Sequence, residues 1–146
     1  YTFATDIATK NNIERILNNR INDIQILERN AKSNKKFHNI EAIKLKFETC
    51  ECLIRANTQF DTILIQVDDK IPTKMGEEYI RFDLKRQNSH RLKKFIGKSV
   101  AWFWILTNDQ KYCDAIQLEF NDRKRTILQL LIEASSIKIL ELSSVM

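Results

Sequence analysis

Apolar and polar residues alternate along much of this chain. Ile43, Leu45 and Phe47 interleave with Lys44, Lys46 and Glu48, the period of two that a half-buried strand requires. Further strands are predicted at 23–27, 51–56, 61–67, 79–84, 100–107, 114–120, 126–133 and 137–142, with short polar connections such as Asn108–Lys111 and Asn121–Lys124 that suit a meander of hairpins. Two stretches follow helical spacing instead. Ile13, Ile16 and Leu17 fall at i, i+3, i+4, and Leu92, Phe95 and Ile96 repeat that pattern ahead of Gly97, where a helix C-terminal glycine belongs. The expected fold class is therefore α+β: mostly antiparallel sheet in meander hairpins, with two or three short helices. Val100–Leu106 is apolar on both faces and reads as a central strand covered on each side.

The chain also echoes itself. Ala42-Ile43-Lys44-Leu45-Lys46-Phe47 resembles Ala115-Ile116-Gln117-Leu118-Glu119-Phe120, and Ile54-Arg55-Ala56 resembles Ile132-Glu133-Ala134. Each copy is preceded by a helix-spaced stretch and a strand. A single domain over 1–146 is expected, built from pseudo-repeat halves at roughly 9–67 and 88–142, with a longer hairpin in the second. Each half has one apolar face to cover, which packing the halves against each other, or merging their strands into one curved sheet, would bury.

Composition narrows the chemistry. At 146 residues a domain buries about two-thirds of its unfolded surface and needs no metal or disulfide staple. The longest apolar run, Val100–Leu106, is far below the roughly 20 residues of a membrane helix. Asp6 and Lys10 break any signal-peptide pattern. The odd number of cysteines fits reduced thiols, hence a cytoplasmic protein. Cys50 and Cys52 could be soft metal ligands, but nothing groups them with Cys113, His38 or His90 into the four that zinc requires; the alternative is small hydrophobes in strands. Two glycines, Gly76 and Gly97, cannot build a phosphate-cradling loop. Neither histidine belongs to a nucleophilic triad signature. No cofactor, metal or catalytic residue is expected.

The run Trp102–Leu106, then Tyr112-x-Asp114-Ala115-Ile116-Gln117-Leu118-x-Phe120, then Ile132-Glu133-Ala134-Ser135-Ser136-Ile137, resembles a family of small bacterial domains of unknown function. There a tryptophan strand is followed by a glycine-aromatic turn and the segment D-[AG]-[ILV]-Q-[LF]-x-F. Lys111 stands here where the family's turn has glycine. The family carries no established activity, so the resemblance implies a fold and not a function.

Two surfaces invite partners. The net charge of +5 is concentrated in segments 29–36 and 85–98, which hold no acid and leave the rest of the chain net acidic. Such polarity steers acidic partners, though solvated loops give the same pattern. Trp102 and Trp104 share one face of their strand. They are candidates for a protein contact or base stacking, with core packing the alternative. Tyr112 and Asp114 follow in the next hairpin, where Asp114 either lines a polar pocket with Glu133 or caps its own turn. The expected function is non-enzymatic binding of another protein, a bacterial immunity protein that neutralises a cognate toxin being the specific case. Its contact residues would be Trp102, Trp104, Tyr112, Asp114, Arg91, Lys93 and Lys94. The other reading is a nucleic-acid-associated protein using 29–36 and 85–98. No membrane contact is expected, and a homodimer through a sheet edge is the third possibility.

Overall fold

Every stretch of period-two alternation forms a strand in the computed structural model, which describes residues 13–29, 39–57, 62–72, 79–84, 91–107, 113–133 and 136–143, the side chains at 29, 39, 79–82, 113, 133 and 143 excepted. The strands are β1 (Ile21–Arg29), β2 (Asn39–Phe47), β3 (Glu51–Asn57), β4 (Thr62–Asp68), β5 (Tyr79–Asp83), β6 (Val100–Thr107), β7 (Cys113–Phe120), β8 (Thr126–Glu133) and β9 (Ser136–Ser143).

The α+β assignment is corrected: among the described residues the strands of both sheets all pair antiparallel and make up the architecture. The two helix-spaced stretches form only single 3-10 turns, Glu14–Ile16 and Lys93–Phe95. A 3-10 turn places i and i+3 on one side, so Ile13 with Ile16, and Leu92 with Phe95, are buried without a further helical turn. Both turns end alike, with Leu17 (φ −66°, ψ 135°) and Ile96 (φ −65°, ψ 129°) already extended. A left-handed residue follows each, Asn18 (φ 61°) and Gly97 (φ 93°), and sends the chain into β1 or β6. Asn and Gly are the residues that reach this conformation most readily.

Those two corners hold each other. Asn18 N–H donates to the Val100 carbonyl at 2.6 Å, and Gly97 N–H donates to the Ile21 carbonyl at 2.7 Å. Ile21 N–H then donates to Lys98 at 3.0 Å, and Val100 N–H donates to Asn19 at 3.1 Å. The bonds are reciprocal, as in a local two-fold. The matching continues outward. β1 meets β2 as Ile21↔Phe47, with a shift before Asp23↔Lys46; β6 meets β7 as Val100↔Phe120, with a shift before Trp102↔Glu119. In register, Ile54 corresponds to Leu130, each paired with the central isoleucine, Ile43 or Ile116. The sequence echo places Ile54 opposite Ile132 instead, two residues further, a slip that preserves the face of a strand.

Sheet one has the order β4-β3-β2-β1-β5 and sheet two the order β6-β7-β8-β9. They pack face to face, β2 over β9 and β4 over β7, with Ile24, Ile43, Leu45, Ile54, Ile116, Leu118 and Leu130 fully buried between them. At one end Phe95 stacks on Phe120, centroids 4.6 Å apart. β6 is not the central strand its apolar composition suggests. Among the described strands it is an edge of sheet two, and its inward face meets the core through Phe103 and Ile105.

Candidate functional site

The outward face of sheet two presents cross-strand rows of side chains. One row runs Trp104, Gln117, Gln129, Leu140; the next runs Trp102, Glu119, Ile127, Leu142; a third runs Leu106, Ala115, Leu131, Lys138. Strand alternation alone puts these residues together, because i and i+2 share a face and pairing aligns the strands. The Trp102 and Trp104 rings lie 6.2 Å apart at 60°. Gln117 donates to Gln129 at 2.7 Å, so the middle of the face is a closed amide pair between tryptophans on one edge and leucines on the other. The large apolar side chains exposed here are Trp102 (49%), Trp104 (37%), Leu140 (44%) and Leu142 (48%). Large apolar side chains exposed together on one face mark a protein-contact surface.

Part of the matching face in sheet one is covered, although Gln66 and Asp68, the counterparts of Leu140 and Leu142, are exposed. Register equates Trp104 with Gln25, Leu106 with Leu27 and Gln117 with Lys44, and all three sheet-one residues are buried. The chain leaving β4 returns over that face: Ile71, itself buried, donates its N–H to Glu51 Oε1 at 2.7 Å and accepts from Lys44 Nζ at 2.8 Å. Lys44 and Glu51 lie 3.6 Å apart. A lysine buried on a sheet face is tolerable only with such partners.

At the end of sheet two nearest Trp102, the β7–β8 turn carries Arg123, Lys124 and Arg125, all exposed. Asp122 shapes this turn. Its Oδ1 accepts the Thr126 N–H and its Oδ2 accepts the Thr126 hydroxyl, both at 2.9 Å, while Lys98 Nζ reaches Oδ2 at 2.9 Å. Partial burial raises the Asp122 pKa, but these donors outweigh it and hold the carboxyl at about 2. Arg125, at φ 50°, sends its guanidinium back to Glu119, 4.0 Å away. The apolar rows thus have a basic rim.

The residues expected at the site separate. Trp102 and Trp104 are exposed together. Asp114 is half-buried and is the extra residue at a register shift in β7, between the pairs Leu106↔Ala115 and Thr107↔Cys113, so strand alternation does not align it with the tryptophans. Lys94 pairs with Glu141 at 2.5 Å and lies 5.7 Å from the Phe95 ring; Glu141 alternates with Leu140 and Leu142, which places Lys94 on the other side from the tryptophan face. Arg91 is exposed and Lys93 half-buried beside it, in the same turn segment. Tyr112, His38, His90 and most of segment 29–36 lie outside the described residues, as does the 85–90 part of the second basic segment. Leu140, Leu142, Ile127 and the 123–125 turn were missed. Their signal was the apolar outward set of β8 and β9, legible only once pairing aligns it with the tryptophans.

Elsewhere, a shallow depression of about 650 Å³ lies over the β2–β3 turn, lined by Glu48, Glu51, Asp68 and Asp69 among others; Arg15 spans its rim with an ion pair to Asp69. Cys50 and Cys52 are buried free thiols, and burial pushes both upward in pKa. Among the described residues no group of three His, Cys, Asp or Glu is placed to hold a metal ion, and no helix is long and apolar enough to cross a membrane.

The model of a family of unknown function, DUF6334, matches residues 7–146. No curated protein and no solved structure matches the chain.

Proposed function

Because the chain belongs to the DUF6334 family, whose function is unknown, we propose from its own surface that it is a non-enzymatic protein-binding domain. The contact surface is the outward face of sheet two. The observation that carries this reading is the exposure of Trp102, Trp104, Leu140 and Leu142 on one face; the sheet-one counterpart of Trp104, Gln25, is buried instead. Tryptophan anchors dominate many protein interfaces. Arg123, Lys124 and Arg125 at the rim select a partner whose apolar contact is edged by carboxylates, since opposite charges at a rim steer association. An immunity protein occluding an acidic-surfaced toxin is the specific case we favour. Such an inhibitor needs no chemistry of its own, only a surface that blocks its target. Free thiols at Cys50 and Cys52 support a reducing, cytoplasmic setting.

The test compares the wild-type protein with the Trp102→Ala/Trp104→Ala variant as baits, scored by which bound proteins the variant loses. A partner held by wild type and lost by at least tenfold in the variant is expected. Identical capture by both baits removes this surface from consideration. Fluorescence anisotropy with a mixed-sequence single-stranded DNA at low and moderate salt checks the other reading. Steeply salt-sensitive binding that also needs the tryptophans would make the face a base-stacking platform instead.

A further inference from the structure

Sheet one and sheet two differ in one more respect. β1 has a neighbour on each side, β2 and β5. β6 occupies the matching place in sheet two, but among the described residues its second side meets only bridges at its very start, Leu17↔Val100 and Arg20↔Ser99. Among the described residues, no strand stands beside β6 along Ala101–Thr107 in the place that β5 fills beside β1. Burial records the difference. Ile24 and Ile26 of β1 are fully buried, while their register counterparts Phe103 and Ile105 are only partly so.

An open edge is a template for another strand, and proteins that keep one unpaired protect it with charge, proline or a very short strand. The other three edges carry charge: Asp68 in β4, Arg81 and Asp83 in β5, Lys138 and Glu141 in β9. β6 reads Val-Ala-Trp-Phe-Trp-Ile-Leu-Thr. It is eight residues long, with no charge and no proline. That sequence carries no protection against pairing.

We infer that β6 pairs with β6 of a second copy, antiparallel about a two-fold axis, joining two four-stranded sheets into one continuous sheet. The occupant is a second copy rather than a foreign peptide for a physical reason. A two-fold contact sets a strand against itself, so any charge near its centre would face its own image at short range, and β6 has none. The uncharged edge also offers nothing to select an acidic or basic foreign strand. A two-fold axis between antiparallel strands stands perpendicular to the sheet. The outward faces of both copies therefore lie on the same side, with Trp102 and Trp104 of each flanking the axis. The inference rests on the edge and stands whether or not the tryptophan face binds a partner.

The experiment is sedimentation velocity of the intact chain from about 1 to 100 µM, a range that brackets micromolar association. Three proteins are compared: wild type, Ile105→Lys, which sets an inward-pointing charge on the edge, and Leu142→Lys, which alters the outward face at the far strand. Wild type and Leu142→Lys are expected at twice the chain mass at the upper concentrations, and Ile105→Lys at the chain mass with an unchanged far-ultraviolet circular dichroism spectrum. A wild-type monomer across the range overturns the inference, as does an Ile105→Lys dimer. Dissociation by Leu142→Lys but not Ile105→Lys would assign the contact to stacked faces and overturn it too. Should Ile105→Lys fail to fold, amide exchange in wild type decides. Slowing in 101–107 as concentration rises is expected, and concentration-independent exchange there refutes the pairing.

Discussion

Replacing Asp122 with Asn removes a carboxylate that ties together three parts of the fold: the segment leading into β6 through Lys98, the β7–β8 turn, and the first residue of β8 through Thr126. The side chain is 21% exposed, so its bonds are only partly screened. Its pKa falls from an ordinary 3.8 to about 2, and this sets the scale. A depression of that size corresponds to roughly 2 kcal/mol of stability at neutral pH, an upper figure given the residual exposure. The sign follows from the direction. A carboxyl depressed in the folded state contributes fully above its unfolded pKa and loses that contribution as pH falls towards 2. At pH 3 about half should remain. Urea unfolding of wild type and Asp122→Asn at pH 7, 5 and 3 isolates this term, because the other carboxylates titrate in both proteins. The expected gap is about 1–2 kcal/mol at pH 7, unchanged at pH 5 and about half as large at pH 3. A gap that stays constant to pH 3, or is absent at pH 7, would refute the reasoning.

Lys44→Met should cost about 3 kcal/mol, because it strips both the Ile71 carbonyl and the half-buried Glu51 of a partner. Glu51→Gln should cost clearly less, since the amide oxygen still accepts the Ile71 N–H; urea midpoints giving the reverse order would sink that account. Gly97→Ala should lose about 1 kcal/mol from its positive φ alone, as nothing lies within 4 Å of the added methyl, and calorimetry showing a neutral or stabilising effect would contradict it. Trp102→Ala should change stability by less than about 1 kcal/mol, against about 3–5 for the fully buried Phe95→Ala; comparable losses in chemical denaturation would mean the indole is not at the surface. The chain's two tryptophans should emit near the wavelength of hydrated indole and be quenched by acrylamide in the native protein, whereas shielded, blue-shifted emission would contradict the open face.

Local pattern by itself determined the strands. The period-two runs around Leu45, Leu118 and Leu128 mark them because a sheet with one buried face imposes that alternation on its sequence, and the likeness of Ala42–Phe47 to Ala115–Phe120 is written in residues. Membership in a small family of unknown function was likewise visible in the tryptophan strand and the hairpin after it. Helical content was not, since Ile13 with Ile16 and Leu92 with Phe95 satisfy a 3-10 turn as well as an α-helix. What ended both after one turn was the reciprocal bonding of Asn18 and Gly97 to the opposite half, a long-range contact. The place of β6 was decided only by tertiary structure. Its double-faced apolar sequence fits a buried central strand and an open edge equally, because composition reports how apolar a strand is but not which neighbours the fold supplies. Sheet one gained β5 and the Ile71 cover and buried the counterparts of Trp104 and Leu106. On sheet two the same positions remain at the surface, and Trp102, Trp104, Leu140 and Leu142, from opposite edges of the sheet, meet on one face through pairing alone.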